Sequence, residues 1–273
     1  MRQVKVLFLL SSILTLLFYS ITSYAVESEF PGRKLYLAVP VIELIDLYKT
    51  KSQVVLVDVR SNYEYKTLRI KDAINIPISS RDFISKMKQL RINSGTKPIV
   101  VYCNGKSCMK SYKAASKCRR YGISDVVAYD AGIMDWAKKY PAESVLLGKS
   151  PINTNRLIST SNFRKHLLTP KNFETKGAGN KVLILDVRDQ FQREGISIFG
   201  VKEYRAPLDD KKVVDRYISQ AKREGKTLLI YDQAGKQVRW LMYHLEDKGL
   251  QDYYFMKGGI SVYYDNLRKQ YIR

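Results

Sequence analysis

The sequence predicts an α/β chain in which one domain occurs twice in tandem, each copy a parallel sheet flanked by helices. Three observations support this. Short apolar runs alternate with segments of helical periodicity, as in strands joined through helices. Residues 54–60 read Val-Val-Leu-Val-Asp-Val-Arg, and residues 182–188 repeat them 128 positions later as Val-Leu-Ile-Leu-Asp-Val-Arg. Further pairs follow in the same order at nearly the same offset: 74–77 with 204–207, 99–103 with 228–232, and 130–133 with 257–260. Ordered matches at one spacing indicate a tandem duplication.

At the N-terminus, Arg2 and Lys5 precede an apolar run from about Val6 to Ile21, and Ser23 and Ala25 supply small residues before a cleavage point. This is the layout of a secretory signal peptide, expected at residues 1–25 with cleavage near Ala25. The apolar run is shorter than the stretch of about 20 residues a spanning helix needs, and no cysteine follows it at a lipoprotein position. The expectation is a periplasmic or secreted protein without stable membrane insertion; an uncleaved anchor is the alternative. The formal charge of +21 loses only Arg2 and Lys5 with the signal. Such an excess draws small anions, anionic lipid or nucleic acid. The basic residues are scattered rather than gathered into a groove with interleaved aromatics, so nucleic acid is not an expected partner.

The mature length of about 248 residues suits two domains, expected at 34–147 and 153–273 and joined through a linker near 148–155 that contains Pro151. In the first copy, strands are predicted near 54–59, 74–76, 99–102 and 126–129. Helices are predicted near 41–49, 80–90, 111–121 and 133–139. The second copy repeats strands near 182–187, 227–231 and 253–256.

Residues 99–111 organise the first copy. The apolar run from Ile99 reads as a buried strand, the residues after Cys103 as a tight loop, and Ala114, Ala115, Cys118 and Tyr121 as one face of a helix. Cys103 thus stands at the carboxyl end of a parallel strand, where ligands bind in open sheets. A loop wound into a helix N-terminus turns backbone N–H groups toward its centre and favours anions, a thiolate among them. Cys103 is the expected nucleophile. Asn104, Gly105, Lys106, Ser107, Cys108, Met109 and Lys110 are expected to surround the substrate, with Lys106 and Lys110 adding full charges. The alternative is a buried strand-end cysteine with no chemistry. Asp58 and Arg60 are expected to support the strand end and loop through hydrogen bonds or a pair with Glu64.

Asp58-Val59-Arg60 followed by Glu64, Asp72-Ala73-Ile74-Asn75-Ile76-Pro77, and Gly132-Ile133-Met134-Asp135-Trp136 followed by Tyr140-Pro141 are arranged around this strand, cysteine, loop and helix. In that arrangement the chain resembles the rhodanese superfamily, as two tandem rhodanese-like domains. The resemblance implies sulfur transfer. Family members take sulfane sulfur from an anionic donor such as thiosulfate onto the loop cysteine as a persulfide and pass it to a thiophilic acceptor, which can be a protein. Cys103 matches that cysteine. No metal or organic cofactor is needed for this chemistry.

Two departures are visible. Ser111 matches the serine that closes the family's six-residue loop, so this loop is longer, with Cys108 and Lys110 inside it and no arginine. Phosphatases and arsenate reductases of the same fold have longer loops, but they grip oxyanions with an arginine, which lysine does not replace. In the second copy Asp232 stands where a cysteine is needed, so this half is expected to be catalytically silent. It would pack on the first domain, with Lys236 and Arg239 as candidate lining or plain surface.

His166 and His244 both lie in the second half and C-x4-C-x9-C matches no zinc pattern, so a Cys-His pair and a metal site are not expected. Cys118 and Trp136 read as core residues. The alternatives to a sulfurtransferase are a thiol redox protein using Cys103 and Cys108, and a non-catalytic binding module. In an oxidising compartment Cys108 would resolve Cys103, protecting it or releasing sulfur, unless it is simply a small residue at the helix entry.

Overall fold

The computed structural model describes residues 30–189, 192 and 197–271; the expected signal peptide lies outside them. Two compact units divide at Ser144 and Val145, with Lys66–Leu68 grouped with the second.

The first unit contains four parallel strands, β1 (Val55–Asp58), β2 (Ile74–Asn75), β3 (Ile99–Tyr102) and β4 (Val126–Tyr129), in the order β2-β1-β3-β4. All four residues of β3 are buried. Full burial of such side chains stabilises by roughly 1.5–3 kcal/mol each, which fixes β3 in the middle of the sheet. The unit's helices are α1 (Pro31–Leu35), α2 (Leu44–Thr50), α3 (Asn62–Thr67), α4 (Phe83–Asn93), α5 (Lys110–Arg120) and α6 (Gly132–Lys139). One core cluster joins Val57, Val101 and Cys103 from the β1 and β3 segments with Phe83 and Met87 of α4 and Ala114, Ala115 and Cys118 of α5. Cys118 is therefore a core residue, as its helical spacing predicts.

The observed strands match the expected ones to within about a residue or two at each end. The helix expected near 80–90 begins later, at Phe83. A turn precedes it, in which Ser80 N–H bonds to Pro77 O, Phe83 N–H bonds to Ser80 O, and the Ser80 hydroxyl donates to Asp82. Helix α3 was not anticipated. Its six residues, Asn-Tyr-Glu-Tyr-Lys-Thr, carry too little periodicity to stand out. Trp136 is fully buried, donates its indole N–H to Glu143 O at 3.0 Å and packs 5.1 Å from the Tyr140 ring. It is the packing anchor expected.

The second unit has five parallel strands, β5 (Leu167–Leu168), β6 (Val182–Asp186), β7 (Glu203–Arg205), β8 (Thr227–Tyr231) and β9 (Tyr253–Met256), in the order β5-β9-β8-β6-β7. Helices α7 (Thr160–Lys165), α8 (Pro170–Gly177), α9 (Lys211–Glu224), α10 (Val238–Asp247) and α11 (Gly259–Tyr271) accompany them. Its core cluster includes Phe173, Ile184, Leu229, Tyr231, Met256 and Ile260. The duplication extends to register. Asp58 pairs with Tyr102 across β1 and β3, and Asp186 with Tyr231 across β6 and β8, so Cys103 and Asp232 each follow the same position in their sheet.

Candidate active site

Strand β3 is held between two parallel neighbours and ends at Tyr102, so Cys103 is delivered to the carboxyl edge of the sheet at 0% exposure. Its carbonyl accepts the Ile133 N–H at 3.0 Å, and the Cys108 N–H closes a turn onto Gly105 O at 2.8 Å. Gly132 lets the loop lie this close to the start of α6. It has φ +72°, and a Cβ there would stand 2.3 Å from the Gly105 nitrogen. A side chain at 132 would both strain the backbone and push the loop outward.

The sulfur of Cys103 lies 3.2 Å from the Cys108 carbonyl oxygen and 3.6 Å from Ser111 Oγ. Burial pushes the Cys103 thiol well above its ordinary pKa, and hydrogen bonding to Cys108 pushes it further. Cys108 goes the opposite way, to about 6. The hydrogen bond it receives from Cys103 is the largest cause, outweighing burial together with the Lys110 and Asn104 backbone N–H groups and the Lys110 charge.

The direction on Cys103 is opposite to the one expected of the loop, because Cys103 is buried at the strand end while the N–H groups of Asn104 and Lys110 favour the charged form of Cys108. Iodoacetamide should therefore label Cys108 before Cys103 and Cys118 at neutral pH. Deprotonation activates the thiol, so the labelling rate should rise through a midpoint near pH 6, as read by peptide mass mapping. Preferential labelling of Cys103 would contradict the assignment.

The remaining loop residues divide by partner. Ser107 is exposed, and Met109 packs against the core cluster. Lys106 Nζ stands 3.7 Å from Asp135 and 5.3 Å from the centre of the Phe30 ring, and Lys110 Nζ is 3.5 Å from Glu64. Both ammonium groups thus have partners in the chain, since each loop lysine lies beside an acidic side chain. The Asn104 amide is drawn back from the loop centre. It donates to Glu64 Oε1 at 2.8 Å and accepts from Arg60 Nη1 at 3.1 Å.

Behind the loop, Arg60 donates to both oxygens of Asp58, at 2.9 Å from Nε and 2.6 Å from Nη2, with both residues fully buried. Asn75 adds hydrogen bonds to the Asp58 and Arg60 carbonyls at 3.0 and 3.1 Å. Burial opposes the charge on Glu64, but Lys110, Arg60 and Asn104 together bring its pKa below the ordinary carboxylate value. The expected supporting residues thus form a chain from β1 through Arg60 and Asn104 to Glu64 and Lys110. The role of Asn75 was not singled out, although it sits in a repeated segment. Arg60→Met should cost about 3–5 kcal/mol in urea unfolding, because it leaves the Asp58 carboxylate buried without its cation. A loss below about 1 kcal/mol would show the pair to be dispensable.

The second loop repeats this construction with a different occupant. Ile260 N–H bonds to Asp232 O at 2.9 Å, and Gly259, at φ +63°, would place a Cβ 2.5 Å from the same oxygen. The buried Asp232 carboxylate accepts the backbone N–H groups of Ala234 at 3.0 Å, Gln237 at 2.6 Å and Val238 at 3.1 Å, and that of Gly235. Loop N–H groups converge on one point, and a carboxylate fills it. Arg188 pairs with Asp186 as Arg60 does with Asp58. His244 is bound to Asp215, His166 to Tyr253 O, and Arg239 to Ile158 O, all within this unit.

Comparisons with known proteins place this geometry. A tRNA uridine(34) hydroxylase of Cytophaga hutchinsonii is 34% identical over 115 residues, covering 42% of this chain and 36% of that protein. A protein of the same name from Brucella canis is 28% identical over 165 residues, covering 59% of this chain and 52% of that one. The chain thus spans about a third to a half of the length of these curated relatives. Among solved structures, a thiosulfate sulfurtransferase from Pseudomonas aeruginosa aligns over 81% of this chain and 43% of its own, at 16% identity and TM-score 0.32. The rhodanese-like domain family matches residues 41–139 and 169–266, one span for each sheet and its loop, and the chain therefore belongs to that family, with two rhodanese-like domains in tandem.

Proposed function

We propose that this chain is an exported sulfurtransferase whose first domain takes sulfane sulfur from a small anionic donor onto Cys103 as a persulfide and passes it to a thiophilic acceptor, a small molecule or a protein. The observation that carries this reading is the pair of loops in one chain. In the second domain the loop N–H groups hold the Asp232 carboxylate, and the equivalent position in the first domain is a cysteine.

Cys103, on losing its proton to solvent, attacks the outer sulfur of a donor such as thiosulfate. The bond between the two donor sulfurs breaks, its electron pair leaves with sulfite, and the new bond joins Cys103 Sγ to the sulfane sulfur. Loop N–H groups stabilise the leaving anion. An acceptor thiolate or cyanide then removes the outer sulfur and regenerates Cys103. The silent second domain follows from Asp232, which forms no persulfide.

An exported location rests on the signal-like residues 1–25. The curated relatives are named for an action on tRNA, and the charge of +21 is the observation favouring such a partner here; a secretory start weighs against it. The test is intact mass of the purified chain after incubation with thiosulfate, inorganic polysulfide or mercaptopyruvate. The expected result is a gain of one sulfur located on Cys103 at the earliest time points after mixing. Absence of any gain with all three donors would overturn the proposal.

A further inference from the structure

We propose that Cys108 discharges the Cys103 persulfide within the loop, expelling hydrosulfide and leaving a Cys103–Cys108 disulfide that an external dithiol reductant reopens. The inference rests on the persulfide reading of Cys103 and adds what happens to the sulfur when no acceptor collects it.

The placement of the two cysteines carries it. They are five positions apart in sequence, yet the loop folds back so that the Cys108 carbonyl oxygen lies 3.2 Å from the Cys103 sulfur. Closure to a disulfide brings the two sulfurs to about 2 Å by turning the Cys108 side chain toward Cys103, a rearrangement within the loop. The segment that must adjust is held by one turn hydrogen bond, Cys108 N–H to Gly105 O, and has exposed Ser107 at its tip. Cys103 is buried beside Ser111, while Cys108 is half-buried, with its thiol pKa lowered to about 6. Cys118 is enclosed in the core beneath α5 and is not a competitor.

The step balances without an added oxidant. The Cys108 thiolate attacks Cys103 Sγ, the inner sulfur of the persulfide. A bond forms between the two cysteine sulfurs and the bond to the outer sulfur breaks, its electron pair leaving on hydrosulfide with the persulfide proton. The sulfane sulfur is reduced to sulfide while the two cysteine sulfurs are oxidised to a disulfide. Resetting transfers two electrons from a dithiol, which becomes a disulfide in turn.

The full chain and its Cys108→Ser variant, reduced and then freed of reductant, are treated with inorganic polysulfide and desalted. Released sulfide, intact mass and unreduced peptide maps are then followed over time. The wild type is expected to release one sulfide per loaded chain and end lighter by two hydrogens with residues 103 and 108 linked, whereas Cys108→Ser retains one sulfur on Cys103 and releases sulfide at least about ten-fold more slowly. A wild type that keeps its persulfide beside a free Cys108 overturns this inference and leaves the sulfurtransferase reading intact. A disulfide involving Cys118 also overturns it. Failure of both proteins to gain sulfur overturns both readings.

Discussion

Cys103→Ser is expected to abolish sulfur loading, with a fall of at least about 10³-fold in the rate at which the chain gains sulfur from its best donor. A serine hydroxyl does not ionise near neutrality and forms no persulfide. The fold should survive, because the substituted oxygen retains Ser111 Oγ and the Cys108 carbonyl as hydrogen-bond partners at the position of the sulfur. The same variant removes the thiol whose hydrogen bond is the main reason Cys108 ionises early. Alkylation of Cys108 should therefore slow at neutral pH and recover in more alkaline solution. Cys118→Ala is the matched control: it should load sulfur normally and lose about 1–2 kcal/mol of stability from the core. Sulfur found on any residue of Cys103→Ser would show the nucleophile to be wrongly placed.

Asp232→Ala should lower stability by roughly 2–4 kcal/mol while leaving sulfur loading on Cys103 unchanged. Four backbone N–H groups lose their common acceptor in a loop held in place by Gly259. The substitution also opens the point at which those N–H groups converge. Sulfate or phosphate should therefore raise the melting temperature of Asp232→Ala more than that of the wild type, by binding where the carboxylate was. An unchanged melting temperature would mean that the carboxylate does not hold the loop. Destabilisation without anion rescue would mean that the emptied loop collapses.

The duplication, the strand positions and the location of Cys103 were all legible in the sequence, because each rests on local pattern: apolar runs, repeated segments and a cysteine placed between strand and helix. That Asp232 occupies the matching position of the second copy was legible as well. Helix α3 was not, because its six residues lack a face. The partners of Lys106 and Lys110 were missed for another reason. Asp135 and Glu64 are distant in sequence, and only the closed sheet brings them to the loop.

By itself, then, the sequence determined a tandem of two parallel α/β domains and placed a cysteine at the strand end of the first loop and an aspartate at that of the second. Only the tertiary structure set the two cysteines apart. The difference depends on depth and on where N–H groups point: burial at the end of β3 raises the Cys103 pKa, while the Asn104 and Lys110 N–H groups and the Cys103 thiol lower that of half-buried Cys108. Burial and hydrogen-bond direction come from the packed sheet, and residue spacing does not encode them.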